Sequence, residues 1–488
     1  MRSEAVHFTE YFLDDVNNNL EPAMSPVYLA LGIAILLLIT IIALNKGMSV
    51  LSGKDNSDEA RAARGILKQS RTTLFSLMIL SAGIFAGGQF LAGSGMEAHI
   101  MDWMNLLVRW IHVVFGIAWI GASFYFIFLE NSLNRTENLR DELAGNLWAI
   151  HGGGFYYVEK YKTAPGQLPK KLHWFKYEAY FTWLSGFVLL NIVYYMNAKS
   201  YMIDPAVRDI SPTVAIMIGL GSMISGWIIY DLLCKSPLVH KKKLFAIVGF
   251  LIVVLYSIVL SKFLSGRAAF MHIGALLGTI MAGNVFFTII PSQKELVAAA
   301  TEGRPLNPEL GKMAGLRSLH NNYITLPVIF VMISNHFPVT FGHSWNWAIL
   351  AGLTIASVAV RHYINLHEKG QKAVWMIPFA TIAILALIIV TAPAKFKGKD
   401  NTPVHFSEVQ TIFQLRCNQC HSSKPTDDVQ LVAPNGVMFD NYDQIHKMTD
   451  KIMLRAVNTQ SMPQGNKTGM TVEEREVIGR WIQQGAGK

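Results

Sequence analysis

Ten apolar runs constrain this chain more than any other feature. They fall at about 26–45, 72–92, 103–130, 178–197, 212–234, 243–263, 269–290, 318–338, 345–364 and 374–393. Each is close to the roughly 20 residues that cross a bilayer as a helix. A segment in lipid must satisfy its own backbone groups, so only helices or closed barrels span, and runs of this length are helical. Residues 26–393 therefore read as an all-α, polytopic bundle of about ten spans. The first run is uncharged from Pro26 to Asn45, and the eighth is interrupted by His320, Asn321, Asn322, Asn335 and His336. With 51% hydrophobic and only 15% charged residues, an ordinary soluble protein is excluded.

Loop charge gives a separate reading of topology. Residues 46–71 carry six Lys/Arg and 235–243 carry four lysines, whereas 93–102 holds only Glu97 and Asp102. Basic loops stay inside, so the loops after odd-numbered spans are expected in the cytoplasm. The N-terminal segment 1–25, with five acids against Arg2, is expected outside and does not read as a secretory signal. After an even number of spans the C-terminal part emerges outside too. The net charge of +9 does not imply a nucleic-acid partner, because from residue 401 onward nine Lys/Arg balance nine Asp/Glu. The surplus lies in the loops of the membrane part, and lipid is its expected neighbour.

Behind a short linker at 394–400, the segment 401–488 is polar and contains Cys417-Asn418-Gln419-Cys420-His421. Cys-x-x-Cys-His is the attachment signature of covalent haem c. The thiols of Cys417 and Cys420 form thioethers on one side of a turn, and His421 is the proximal iron ligand. Met462, in a Ser-Met-Pro-Gln-Gly loop, is the preferred sixth ligand; Met438, Met448, Met453 and Met470 compete for the role. Thr471 and Glu474 form a capping box for a closing helix whose apolar face is Val477, Ile478, Trp481 and Ile482. The order of these parts resembles a small class I cytochrome c domain. The bland alternatives are a redox dithiol or half a zinc site. With three cysteines in all, and Cys234 far away, a four-cysteine zinc site is excluded.

Ionisable residues inside a membrane are functional candidates by default. His112, His272 and His336 lie toward the outer ends of their spans, and some pair of them is a candidate for the iron of a haem b. The alternative is packing. A weak repeat at a spacing of 160 residues relates His112 and Ala122 to His272 and Ala282, and its small residues suit close helix contacts. Arg109, one turn before His112, would meet a propionate, an anionic substrate or lipid headgroups. A second polar collection is expected on the cytoplasmic side: His151-Gly-Gly-Gly-Phe155, Glu178, His320, Asn321, Asn322, Arg361, His362 and His367. No Gly-x-Ser-x-Gly elbow accompanies the His-Gly-Gly-Gly string, and neither a Walker A loop nor a full Gly-x-Gly-x-x-Gly is present. Hydrolase and nucleotide-cofactor readings therefore lack support.

Three stretches, in this order, resemble the bacterial membrane-bound urate oxidases (urate hydroxylases), in which an integral domain is fused to a C-terminal cytochrome c. They are Arg109-Trp110-Ile111-His112 through Tyr125, Leu147 through His151-Gly-Gly-Gly-Phe155 to Lys160, and Leu172-His173-Trp174 through Gly186. The resemblance implies a bacterial inner-membrane enzyme that oxidises urate toward 5-hydroxyisourate with water as oxygen source. Electrons would leave through haem c to a terminal oxidase or soluble cytochrome c. A general base, a cationic clamp and an aromatic face are required, and His151, His362, Arg361 and Phe155 are candidates to supply them. The competing readings are a relay cytochrome without urate chemistry and an anion transporter with a redox sensor.

Overall fold

The computed structural model describes residues 96–165, 167–392, 402–427, 430 and 432–488. The expected spans at 26–45 and 72–92, the segment 1–25 and the linker 394–400 lie outside them. Helix α1 (Met96–Ser132) begins in one compact unit, Met1–Asn105, and runs into a second, Leu106–Lys488.

The eight apolar runs that fall in the described residues are all helical. They give α1, α2 (Tyr177–Leu190, prolonged by a π turn Asn191–Tyr195), α3 (Pro212–Lys235) and α4 (Lys242–Phe263). Next come α5 (Gly266–Gly283), which passes through a π turn at Asn284–Ile289 into α6 (Ile290–Thr301), and α7 (Pro308–Ser334). The last two are α8 (Asn346–Glu368) and α9 (Met376–Val390). Their starts follow local chemistry. Ser211 accepts from the Val214 N–H with Pro212 in the first turn, Ser265 accepts from Ala268, and Asn307 from Glu309 ahead of Pro308. These are N-cap residues satisfying the donors a helix start leaves bare. Among the described residues five helices, α1, α3, α4, α5 with α6, and α8, are long and apolar enough to cross a membrane, and α9 is a shorter apolar helix.

Helix α5 sits at the centre. Phe270, Ile273, Leu276 and Met281 are buried with Met202, Leu264, Val331 and Leu350 in one core cluster. The outward faces of α4 and α9 expose Ile247, Leu251, Leu255, Ile382, Leu385 and Ile389, an apolar band of the kind that lipid or a partner covers.

The expectation of an all-α domain needs one correction. The basic stretch between α1 and α2, read from sequence as a loop, holds an antiparallel hairpin of β1 (Leu143–His151) and β2 (Gly154–Tyr161). His151 pairs with Gly154 across a two-residue turn, with φ of 58° at Gly152 and 80° at Gly153. Positive φ at both central positions is the type I′ geometry that matches strand twist, and glycine takes it without steric cost. Trp148 and Tyr157 face each other across the strands with ring centroids 4.7 Å apart, the cross-strand aromatic pairing that stabilises a sheet.

Residues 402–488 build a separate core from α10 (Phe406–Arg416) and α11 (Val472–Gln483). Phe406, Val409, Phe413, Ile445, Ile478 and Trp481 are buried in it. The capping box is present as read from sequence: Thr471 accepts from the Glu474 N–H at 3.2 Å and Glu474 accepts from the Thr471 N–H at 2.8 Å. This segment rests on the end of the bundle where α5 begins. Gly465, with φ of 59°, comes so near the bundle that a Cβ there would lie 2.7 Å from the Ile203 carbonyl oxygen.

Candidate functional site

Helix α7 carries polar side chains on two sides, and each side meets a buried arginine. Arg317, 2% exposed, donates to Asp231 at 2.6 Å and to Asn284 at 3.1 Å. Asn284 donates in turn to Asn321 and to the Tyr230 hydroxyl, which shares a hydrogen bond of 2.9 Å with His320 Nδ1. This network pairs its cation with a carboxylate, as a buried charge requires.

On the other side of α7, Arg361 of α8 is 1% exposed and has no carboxylate within 4 Å among the described residues. Its Nε donates to Asn322 Oδ1 at 2.8 Å, and its guanidinium carbon lies 4.0 Å from the centre of the Phe124 ring. Asn365, one turn further along α8, donates to the same Asn322 oxygen at 3.1 Å. Three atoms remain without hydrogen bonds: Arg361 Nη2, Asn322 Nδ2 and Asn365 Oδ1. Leaving buried polar atoms bare costs about 1–3 kcal/mol each, so the cluster calls for a polar occupant. His362, next along the helix and about 100° around it, meets the Tyr323 hydroxyl at 2.6 Å instead. His151 stands exposed at the hairpin tip and Phe155 is 75% exposed. The structure thus joins Asn322 to Arg361 but does not bring His151 to them.

The three outer histidines have different surroundings. His272 is fully buried; its Nδ1–H donates to the Ala268 carbonyl at 2.8 Å and its Nε2 accepts from the Tyr195 hydroxyl at 3.2 Å. Gly219 of α3 lies flush against that ring, since a Cβ there would be 2.4 Å from Nε2. His112 bonds the Thr182 carbonyl through Nδ1 and packs on Gly186, while His336 is exposed. With both nitrogens of His272 engaged and its face covered, His272 as arranged does not fit as a ligand of a haem b iron, and no step is routed through one. The 160-residue repeat thus places each of its histidines against a glycine of a neighbouring helix.

The Cys417–His421 turn fits a covalent haem c better. The N–H groups of Cys420 and His421 both donate to the Cys417 carbonyl, closing one turn in which neither cysteine forms a disulfide. His421 Nδ1–H donates to the Val437 carbonyl at 3.0 Å, which fixes the ring and leaves Nε2 available to a metal. Cys417 borders the apolar cluster of Phe413, Ile452 and Val457. Met462 is held by backbone bonds: its N–H donates to Arg455, and its carbonyl accepts from Arg475 at 2.7 Å. Arg475, 5% exposed, also donates to the Ala456 carbonyl and to Asn466. Met462 and Arg455 line a cavity of about 770 Å³ that is shared with Tyr201, Arg267 and Asn346 of the bundle.

Arg361 lies 15 residues along α8 from Asn346, about 22 Å at 1.5 Å per residue. The Arg361 cluster and the cavity edge are therefore near opposite ends of that helix. Asn365, Phe124 and Tyr195 escaped the sequence reading. For Asn365 a signal existed, because Arg361 and Asn365 stand at i and i+4 on one face of an otherwise apolar run.

The family described as urate oxidase N-terminal matches residues 98–392. No curated protein and no solved structure matches the chain. The matched span holds α1 to α9 with the hairpin, including the Arg361 cluster, and exceeds half of the 488 residues. The chain therefore belongs to the urate oxidase N-terminal family.

Proposed function

We propose that this protein is a membrane-bound urate oxidoreductase that delivers electrons to a haem c on its own C-terminal segment. The reading balances as urate plus water giving 5-hydroxyisourate, two protons and two electrons. The observation that carries it is the His421 imidazole. In a chain of the urate oxidase family it is oriented by Val437, which leaves Nε2 available to a metal, beside two thiols that form no disulfide.

Cys417 and Cys420 would hold the haem, and His421 Nε2 and Met462 would bind its iron. The bound haem supplies one-electron acceptance, used twice per urate. The chain's own residues do the rest. Arg475 clamps the carbonyls of Ala456 and Met462 and so sets the Met462 loop. Gly465 allows that loop to sit against the bundle, close to the helices through which electrons would arrive. The apolar faces of α4 and α9 support a membrane setting for the bundle. In the ten-span arrangement, a bacterial inner membrane would carry the C-terminal segment on its outer side. A terminal oxidase or soluble cytochrome c would then be the acceptor.

The test is anaerobic addition of urate to the detergent-solubilised, air-oxidised full chain, followed by haem absorption. Reduction of a c-type band, lost in Cys420→Ala, is expected. If dithionite reduces the band and urate does not, the proposal is refuted, and the chain is better treated as a relay cytochrome.

A further inference from the structure

Among the described residues, two arginines are buried in the helical part. Arg317 is paired with Asp231 at 2.6 Å through Nη2 and donates to Asn284 at 3.1 Å through Nη1. Arg361 is as deeply buried, yet among the described residues its direct contacts are the neutral Asn322 and the Phe124 ring, and Glu368 acts on it only from beyond 4 Å. Its nearest acid along α8, Glu368, is engaged by Asn131 at 2.8 Å. An unpaired buried cation is far costlier than a paired one, so an anion is the occupant whose charge matches.

We propose that Arg361, Asn322 and Asn365 form the substrate-binding site, and that they recognise a planar heterocyclic anion by an edge carrying a carbonyl beside an N–H. This inference rests on the urate reading above and deepens it. The bare atoms specify the edge. Arg361 Nη2 and Asn322 Nδ2 are both donors and need an acceptor oxygen, whereas Asn365 Oδ1 is an acceptor and needs a donor. A simple anion such as chloride satisfies the first two and leaves the third bare. The amide-like edge of urate provides both, next to its delocalised negative charge. Asn322 Oδ1 accepts from Arg361 and from Asn365 together, which holds the three side chains in register before the ligand arrives. The Phe124 ring covers one face of the guanidinium. These three residues are binding residues, and the proton acceptor of the reaction is not assigned to them.

Binding is measurable apart from turnover on the dithionite-reduced full chain, which has no vacant electron acceptor. Equilibrium dialysis with labelled urate under argon is the assay, for the wild type, Arg361→Lys and Asn365→Asp. Lysine keeps the charge and loses the fork. Aspartate provides the carboxylate that Arg361 lacks, closing the site internally without a change of size. Losing a charge-assisted hydrogen bond corresponds to roughly 10- to 100-fold weaker binding, and both variants are expected to show it, with Asn365→Asp keeping at least wild-type thermal stability. If the variants bind urate as the wild type does, the cluster holds only buried water and the site assignment is overturned, while the function stands. If the wild type neither binds nor oxidises urate, the functional reading falls and this site falls with it.

Discussion

Gly219→Ala is a one-methyl change with a large expected effect. An added Cβ would lie 2.4 Å from His272 Nε2 and 2.6 Å from Cδ2, against the 3.4–4 Å of ordinary contact. The ring has nowhere to turn. Its Nδ1–H is tied to the Ala268 carbonyl, its Nε2 takes the Tyr195 proton, and it is fully buried. Either α3 moves by about 1 Å or the Tyr195 bond breaks. Overpacking of this kind costs about 1–3 kcal/mol and the lost hydrogen bond about 1 kcal/mol, so a loss of roughly 2–4 kcal/mol is expected. Gly221→Ala on the same helix is the control, because nothing lies within 4 Å of its Cβ; there helix propensity predicts a gain of up to about 1 kcal/mol. The assay is reversible unfolding of the detergent-solubilised full chain, with a double-mutant cycle to His272→Ala. Removing the imidazole makes room for the methyl, so the double variant is expected to be about 1–3 kcal/mol more stable than the sum of the singles. Equal stability of the two alanine variants, or no coupling to His272, would refute the packing argument.

Two further predictions concern the C-terminal segment. Burial pushes the Cys417 thiol up to about 12. In protein made without haem attachment, alkylation at pH 8 is therefore expected to be about a thousandfold slower than in the unfolded chain, whose thiols ionise near 8.5; equal rates in the folded and unfolded chains would contradict it. Arg475→Lys loses the fork that reaches Ala456, Met462 and Asn466, at a cost of about 2 kcal/mol. In the haem-loaded chain this should weaken the sulfur-to-iron charge-transfer band, and an unchanged band would separate Arg475 from the Met462 loop.

The helices within 103–130 through 374–393 were legible because a long apolar run has almost no alternative to a helix, and Ser211, Ser265 and Asn307 mark three of the starts. The Thr471 capping box was legible for a similar reason, since both partners lie within one turn. The hairpin was not, although Gly152-Gly153 between aromatic and β-branched residues carried its signal. Its basic surroundings read as loop.

What sequence could not supply was the difference between Arg317 and Arg361. Both are arginines within apolar helices, and an asparagine pair stands between them on α7. Whether each finds a carboxylate depends on which way α7 faces α3, α5 and α8, and that is settled by packing across helices far apart in sequence. The same holds for His272, whose Nε2 is closed off by Tyr195 and by a glycine 53 positions away. Local chemistry runs along the chain, so periodicity and capping reveal it. A buried charge is paired or left bare by side chains from other helices, and only the assembled bundle brings those together.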